Sequence, residues 1–173
     1  MPMEQLFRDR KWDKIINYSF EKVVTTLSFE DNLRLAYRLL YNNQWDELLQ
    51  EYAIQLLYTV RNHYPVEWRA SWRHDGFLGV ACNIRFKYDE RYAAFKRAYD
   101  NSSNPPPELL IELARCFTCP GSPPPISADQ AISLLKESLK NCLYIEAVST
   151  LYKIYWDIND YSPDIPRPLG DFF

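Results

Sequence analysis

"FLGVACNIRFKYDERYAAFKRAY", residues 77–99, is the stretch on which the reading of the chain turns. Phe77, Leu78, Val80, Ala81 and Ile84 fall on one helical stripe, and Tyr92, Phe95, Ala98 and Tyr99 fall on a second. Between them stands "KYDERY" (87–92), an aromatic residue and an Asp just ahead of the second stripe. The spacing predicts a helical hairpin. The ring packs in the bend, and the Asp sits near a helix N-terminus, where its charge meets the positive end of the dipole.

Working outward, the aromatic-or-small residue followed by Asp recurs in "KWDKII" (11–16), "QWDELL" (44–49) and "SADQAI" (127–132). The Asp residues stand at 13, 46, 89 and 129, at unequal intervals of 33 to 43 residues. Unequal intervals imply loop insertions rather than a strict array. Further stripes run through Leu33, Ala36, Tyr37, Leu40 and Tyr41, and through Leu48, Leu49, Tyr52, Ala53, Leu56, Leu57 and Val60. Others run through Leu109, Leu110, Leu113, Ala114 and Phe117, through Ala131, Leu134, Leu135, Ser138 and Leu139, and through Val148, Leu151, Tyr152 and Tyr155. Period-2 alternation and hairpin dipeptides are missing, so no strand is expected. The breaks are "YNNQW" (41–45), "NHYP" (62–65), "NSSNPPPE" (101–108) and "CPGSPPPIS" (119–127). Pro107 suits a first helical position and Ser127 an N-cap.

These residues resemble tetratricopeptide and Sel1-like repeats, helix–turn–helix units of about 34 to 44 residues. In 77–99 the resemblance puts Leu78 and Gly79 at the close-packing positions of a first helix. Tyr88, Asp89 and Glu90 fall in the turn, and Phe95 and Ala98 at the packing positions of a second helix. Arg91 stands where the family has a small Ala, and Asp75 where it has bulk. Residues 112–139 are closer to a Sel1 repeat, through Leu113, Ala114, Phe117, Gly121, Ala131 and Leu135, and 146–155 looks like the first helix of a further unit that caps the stack. The resemblance covers roughly residues 30–156. It implies an all-α fold, a right-handed superhelix of stacked antiparallel helix pairs. About three and a half hairpins would form a single domain over 1–161, with a Pro-rich extended tail over 162–173.

The composition narrows the partners. Net charge is −3, with no concentrated basic stretch, which argues against nucleic acid. No apolar run approaches the roughly 20 residues of a membrane span. Four scattered cysteines and no apolar leader fit a reducing compartment, so a cytoplasmic location is expected.

Chemistry-bearing motifs are few. Cys116-x-x-Cys119 falls at a helix C-terminus, where carbonyl charge disfavours a thiolate, and the remaining Cys82, Cys142, His63 and His74 supply no second metal-ligand pair. Neither cofactor nor metal is expected. In "EWRASWRHDG" (67–76), Trp68 and Trp72 are i, i+4, as are Arg69 and Arg73. Packing of the two Trp rings is favoured over a binding edge. His74 and Asp75 are adjacent and so do not face each other on a helix.

On the family's geometry, first-helix positions off the packing face line a concave groove. That implies a partner-binding set of Tyr37, Tyr41, Arg73, Asn83 and Arg115, with Val80 beside them. The family's peptide clamp holds a carboxylate with Lys, Asn and Arg at fixed groove positions. Only Asn83 fits such a role, so that ligand is not expected. The function expected is non-catalytic binding of a protein or peptide, as adaptor, chaperone or regulator, with a homodimer left open. Two rival readings are an immunity-type inhibitor of a toxin or enzyme, and a thiol-dependent enzyme using Cys116, Cys119 or His74.

Overall fold

The structure, a computed structural model, describes residues 2–41, 46–119, 124–140 and 143–161. Helices joined by turns make up this whole range, with no strand among the described residues, so the fold is all-α. The chain divides into two compact units, Met1–Asn101 and Ser102–Phe173. The division falls at the polar segment 101–108. The turn residues 42–45, Gly121 with its flanking prolines, Cys142 and the tail 162–173 lie outside the described residues.

The first unit opens with three short helices, α1 (Met3–Arg8), α2 (Trp12–Ile15) and α3 (Phe20–Thr26). Of these the sequence marked only α2, because four to seven residues are too few to print a stripe. They bury Met3, Leu6, Ile15, Val23 and Val24. Helix α4 (Phe29–Leu40) starts at Ser28, whose hydroxyl accepts from the Asp31 N–H at 3.2 Å. Buried Asn32 reaches back with its side-chain amide to the carbonyls of Leu27 and Ser28, at 3.1 and 2.9 Å. The Tyr64 hydroxyl also donates to the Leu27 carbonyl, at 3.4 Å, so the two side chains together tie down the link from α3 to α4. Helix α5 (Glu47–His63) is capped by Asp46, whose carboxylate accepts from the Leu48 and Leu49 N–H groups. Asp13, Asp89 and Asp129 likewise sit in first turns, as the motif requires.

Trp68 and Trp72 do not share a helix. Helix α6 (Pro65–Arg69) ends, and Ser71, extended, caps α7 (Trp72–Ile84) by accepting from the Arg73 N–H at 3.3 Å. The i, i+4 reading fails because a serine in this context competes for the backbone and starts a new helix. Trp68 is buried, whereas Trp72 is half-buried and carries the Arg73 guanidinium over its ring at 5.1 Å.

Helix α8 (Tyr88–Asp100) returns along α7. Three contacts run in opposite order along the two helices: Cys82 with Glu90, Gly79 with Phe95, and Asp75 with Arg97. The pair is therefore an antiparallel hairpin. Its turn is a Schellman motif: the Lys87 N–H donates to the Cys82 carbonyl at 2.9 Å and the Phe86 N–H to the Asn83 carbonyl at 3.1 Å. Phe86 takes the left-handed position, φ 56°, that glycine usually fills. The two departures from the repeat pattern are compensated. Buried Asp75 accepts from Arg97 at 2.9 Å, and buried Arg91 lies over the Phe95 ring at 5.7 Å.

The second unit contains α9 (Pro107–Ala114), a 3-10 turn (Arg115–Thr118), α10 (Ala128–Ser138) and α11 (Ile145–Tyr161). Pro107 is at the first position of α9. Ser127 and Gln130 form a reciprocal capping box on α10, at 3.2 and 2.9 Å. Ile111, Ala114, Ala131, Leu135, Ala147, Leu151 and Ile154 make the core. On α11 the buried stripe is Ala147, Leu151 and Ile154. Val148 and Tyr152, expected to share it, are exposed. A window of apolar residues on nearly every side of α11 left its rotation undetermined from periodicity alone.

Candidate functional site

The first unit carries a concave, open cleft of about 600 Å³. Phe7 and Arg8 of α1, Arg10 of the turn and Trp12 of α2 contribute to it. So do Glu30, Leu33, Arg34, Tyr37 and Arg38 of α4, and Phe77 of α7.

Local structure explains each contribution. Helix α1 closes with a second Schellman motif. The Lys11 N–H donates to the Leu6 carbonyl at 3.0 Å, and the Arg10 N–H to the Phe7 carbonyl at 3.2 Å. Arg10 therefore occupies the left-handed position, φ 57°, on the rim of the cleft. Phe7 and Trp12 meet edge to face across this turn, with ring centroids 5.5 Å apart. On α4, Leu33 and Tyr37 form one i, i+4 row, and Arg34 and Arg38 form the row beside it. Leu35, Ala36, Leu39 and Leu40 face the core and set that rotation.

Four arginines thus meet one glutamate in a chain whose net charge is −3. Their commitments differ. Arg34 pairs with Asp31 at 3.0 Å, and Arg8 donates Nε to the Glu4 carbonyl at 3.3 Å. Neither the Arg10 nor the Arg38 guanidinium has a hydrogen bond or ion pair among the described residues. Both side chains are exposed and open to a ligand.

Of the residues singled out from the sequence, Tyr37 lines the cleft. Tyr41 stacks on it at 4.8 Å, and Tyr37 in turn lies 6.3 Å from Phe77. Burial and the neighbouring Tyr37 push the Tyr41 phenol up. Tyr37 and Tyr41 are 51 % and 46 % exposed. Arg73, at the start of α7, rests on Trp72, and Asn83 is exposed near the end of the same helix. Arg115 belongs to the second unit, where it bonds Glu112 at 2.7 Å and Thr150 at 3.4 Å. The sequence reading missed Phe7, Arg8, Arg10, Trp12, Arg34 and Arg38. Only the Arg34–Arg38 spacing was there to be noticed. Arg8 and Arg10 join them through a tertiary contact.

The thiols and His74 are held by structure. The buried Cys116 thiol donates to the Glu112 carbonyl at 3.5 Å, and the Cys119 thiol to the Arg115 carbonyl at 3.8 Å. Burial pushes the Cys82 thiol up to about 11, against the weaker opposing effect of its Tyr58 hydrogen bond. His74 places Nδ1 2.9 Å from the Trp68 carbonyl and packs against the Phe29 and Trp68 rings, while Asp75 is taken by Arg97. No group of three or more potential metal ligands occurs among the described residues, and no helix there is long and apolar enough to cross a membrane.

Comparison of the chain with protein-family models, with curated proteins and with solved structures finds no match to any of them.

Proposed function

We propose that this chain is a non-catalytic module that binds a protein or peptide segment on the α4–α7 face of its first unit. The observation that carries the reading is the run of accessible rings from Tyr41 to Tyr37 to Phe77, which leads into the arginine-lined cleft. Leaving large rings half in water forgoes burial energy, and Tyr with Arg is the composition that supplies binding hot spots. In this reading α4–α5 and α7–α8 are successive helix pairs of a right-handed superhelix, and their first helices line its concave side. The Tyr37–Phe77 contact, which joins α4 to α7, supports that pairing. Arg73 and Asn83 extend the face. Arg115, already bonded to Glu112 and Thr150, serves the packing of the second unit. A thiol that stays protonated at neutral pH is a poor nucleophile, which speaks against Cys82 as a catalyst.

The test is a synthetic peptide array probed with the purified chain and with a Tyr37→Ala/Tyr41→Ala variant. Binders of the wild type should weaken about tenfold or more in the variant, while its circular dichroism stays unchanged. An array with no binder, or binders indifferent to the substitutions, would overturn the reading.

A further inference from the structure

We infer that the cleft takes an acidic internal segment of polypeptide in which an aromatic or large aliphatic residue stands between carboxylates. The inference rests on the peptide-binding reading above and names the chemistry of the ligand.

Charge is the first argument. The cleft is lined by Arg8, Arg10, Arg34 and Arg38 and by Glu30, and with Asp31 neutralising Arg34 the four cations still outnumber the two acids, on a chain with more acids than bases overall. Such a local reversal of sign attracts an anionic partner and repels a basic one. Every cation lining it is arginine. The guanidinium fork matches a carboxylate with two parallel hydrogen bonds, which a lysine ammonium does not do. Arg10 and Arg38 have that fork uncommitted among the described residues.

Spacing is the second. Arg34 and Arg38 are one helical turn apart on α4, about 6 Å along the helix. Side chains on one side of an extended peptide recur about every 7 Å. Two acids separated by one residue match that spacing, one on the uncommitted Arg38 and the other sharing the exposed Arg34 with Asp31. Successive side chains of an extended peptide point to opposite sides, so the residue between the two acids turns away from the arginine row, and Phe7 and Trp12 of α1 and α2 offer it an apolar lining. A volume of about 600 Å³ holds a few residues of a segment rather than one small anion.

The third argument is Arg10 itself. Its backbone is left-handed at a position where glycine is free of strain. The tight turn holds the exposed Arg10 side chain on the rim of the cleft, which is the observation used here.

Isothermal titration of the full chain decides the matter. The probes are an end-blocked pentapeptide of four glutamates around a phenylalanine, the same peptide with glutamines, the same peptide with glycine at the centre, and phenyl phosphate. The acidic aromatic peptide should bind. It should lose about tenfold or more on either peptide change, and weaken as salt rises from about 0.05 to about 0.5 M. Arg38→Ala and Arg10→Gly should each lose about tenfold. Arg10→Gly also relieves the backbone, so its melting temperature should be unchanged or higher, which separates lost binding from lost folding. Equal binding of the glutamine peptide, unchanged binding by Arg10→Gly, or phenyl phosphate binding as tightly as the peptide would each overturn the inference. If the array yields only neutral or basic binders that still depend on Tyr37, the module reading stands and this inference falls. If it yields none, the module reading falls first.

Discussion

A Cβ on Gly79 would stand 2.7 Å from the Phe95 ring, nearer than such atoms approach one another, so α7 and α8 meet where glycine faces phenylalanine. Phe95 is almost fully buried, so its ring can move only by displacing the side chains around it. Gly79→Ala gains about 1 kcal/mol of helix propensity, but overpacking a filled core costs about 1–3 kcal/mol. The net expected effect is a loss of about 1 kcal/mol, the difference of those two effects at mid-range, visible as an earlier urea midpoint. Phe95→Ala should lose about 3–5 kcal/mol. An alanine at 79 that leaves stability unchanged or raises it would show that the two helices can separate freely.

Phe86 is the opposite case. It is 71 % exposed and held at φ 56° in the Schellman turn between α7 and α8. Relief of about 1–2 kcal/mol of left-handed strain outweighs the roughly 0.4–1 kcal/mol by which glycine loosens the unfolded chain. Phe86→Gly should therefore stabilise the first unit by several tenths to about 1 kcal/mol. The measurement is a urea titration followed at 222 nm, and a destabilised variant would mean that the exposed ring does structural work.

Asp75 and Arg97 tie the start of α7 to the end of α8 at 2.9 Å. Asp75 is buried and Arg97 about one-third exposed, so water screens the arginine end of the pair. Asp75→Asn should cost about 1–3 kcal/mol, less than the 3–5 of a fully buried pair. Combining it with Arg97→Met should return part of that loss, because the unpaired charge goes with it. A double variant no better than the sum of its parts would disprove the coupling.

Alkaline pH should weaken the fold. Burial raises the Cys82 thiol from near 9 to about 11, and burial also raises the Tyr52 phenol from near 10 to about 12. A group whose folded pKa is raised keeps its stabilising effect below the unfolded value and loses it as pH climbs through the folded one. Stability should therefore fall between about pH 9 and 11 through Cys82, and between about 10 and 12 through Tyr52. Cys82→Ala should flatten the lower part of that decline. The accompanying check is iodoacetamide labelling of Cys82, which should be slow at pH 8 in the native protein and fast in urea. Rapid native labelling would contradict its burial.

Much of the local structure was legible in advance. The stripe through Leu33 and Leu40 became α4, and Asp46, Pro107 and Ser127 stand at helix starts. Each depends on residues within one or two turns of one another, which is the range over which periodicity and capping act. Less legible were the rotation of α11 and the break at Ser71. In both, apolar residues crowd several faces at once, and neighbouring helices decide which are buried.

The candidate site divides along the same line. That Tyr37 and Tyr41 lie together on one helix follows from their i, i+4 spacing, whereas their exposure follows from the burial of Leu35 and Leu39, which the stripe through Leu33, Ala36 and Leu40 did not include. Nothing local brings Arg8 and Arg10 to Arg34 and Arg38, more than twenty residues away. Their meeting depends on where α1 and α2 pack on the rest of the first unit. By itself the sequence determined which segments are helices and which side of most of them is apolar, because those properties are local. Only the tertiary structure decided which polar side chains share a cleft, because burial of the apolar sides sets that arrangement and the exposed arginines follow it.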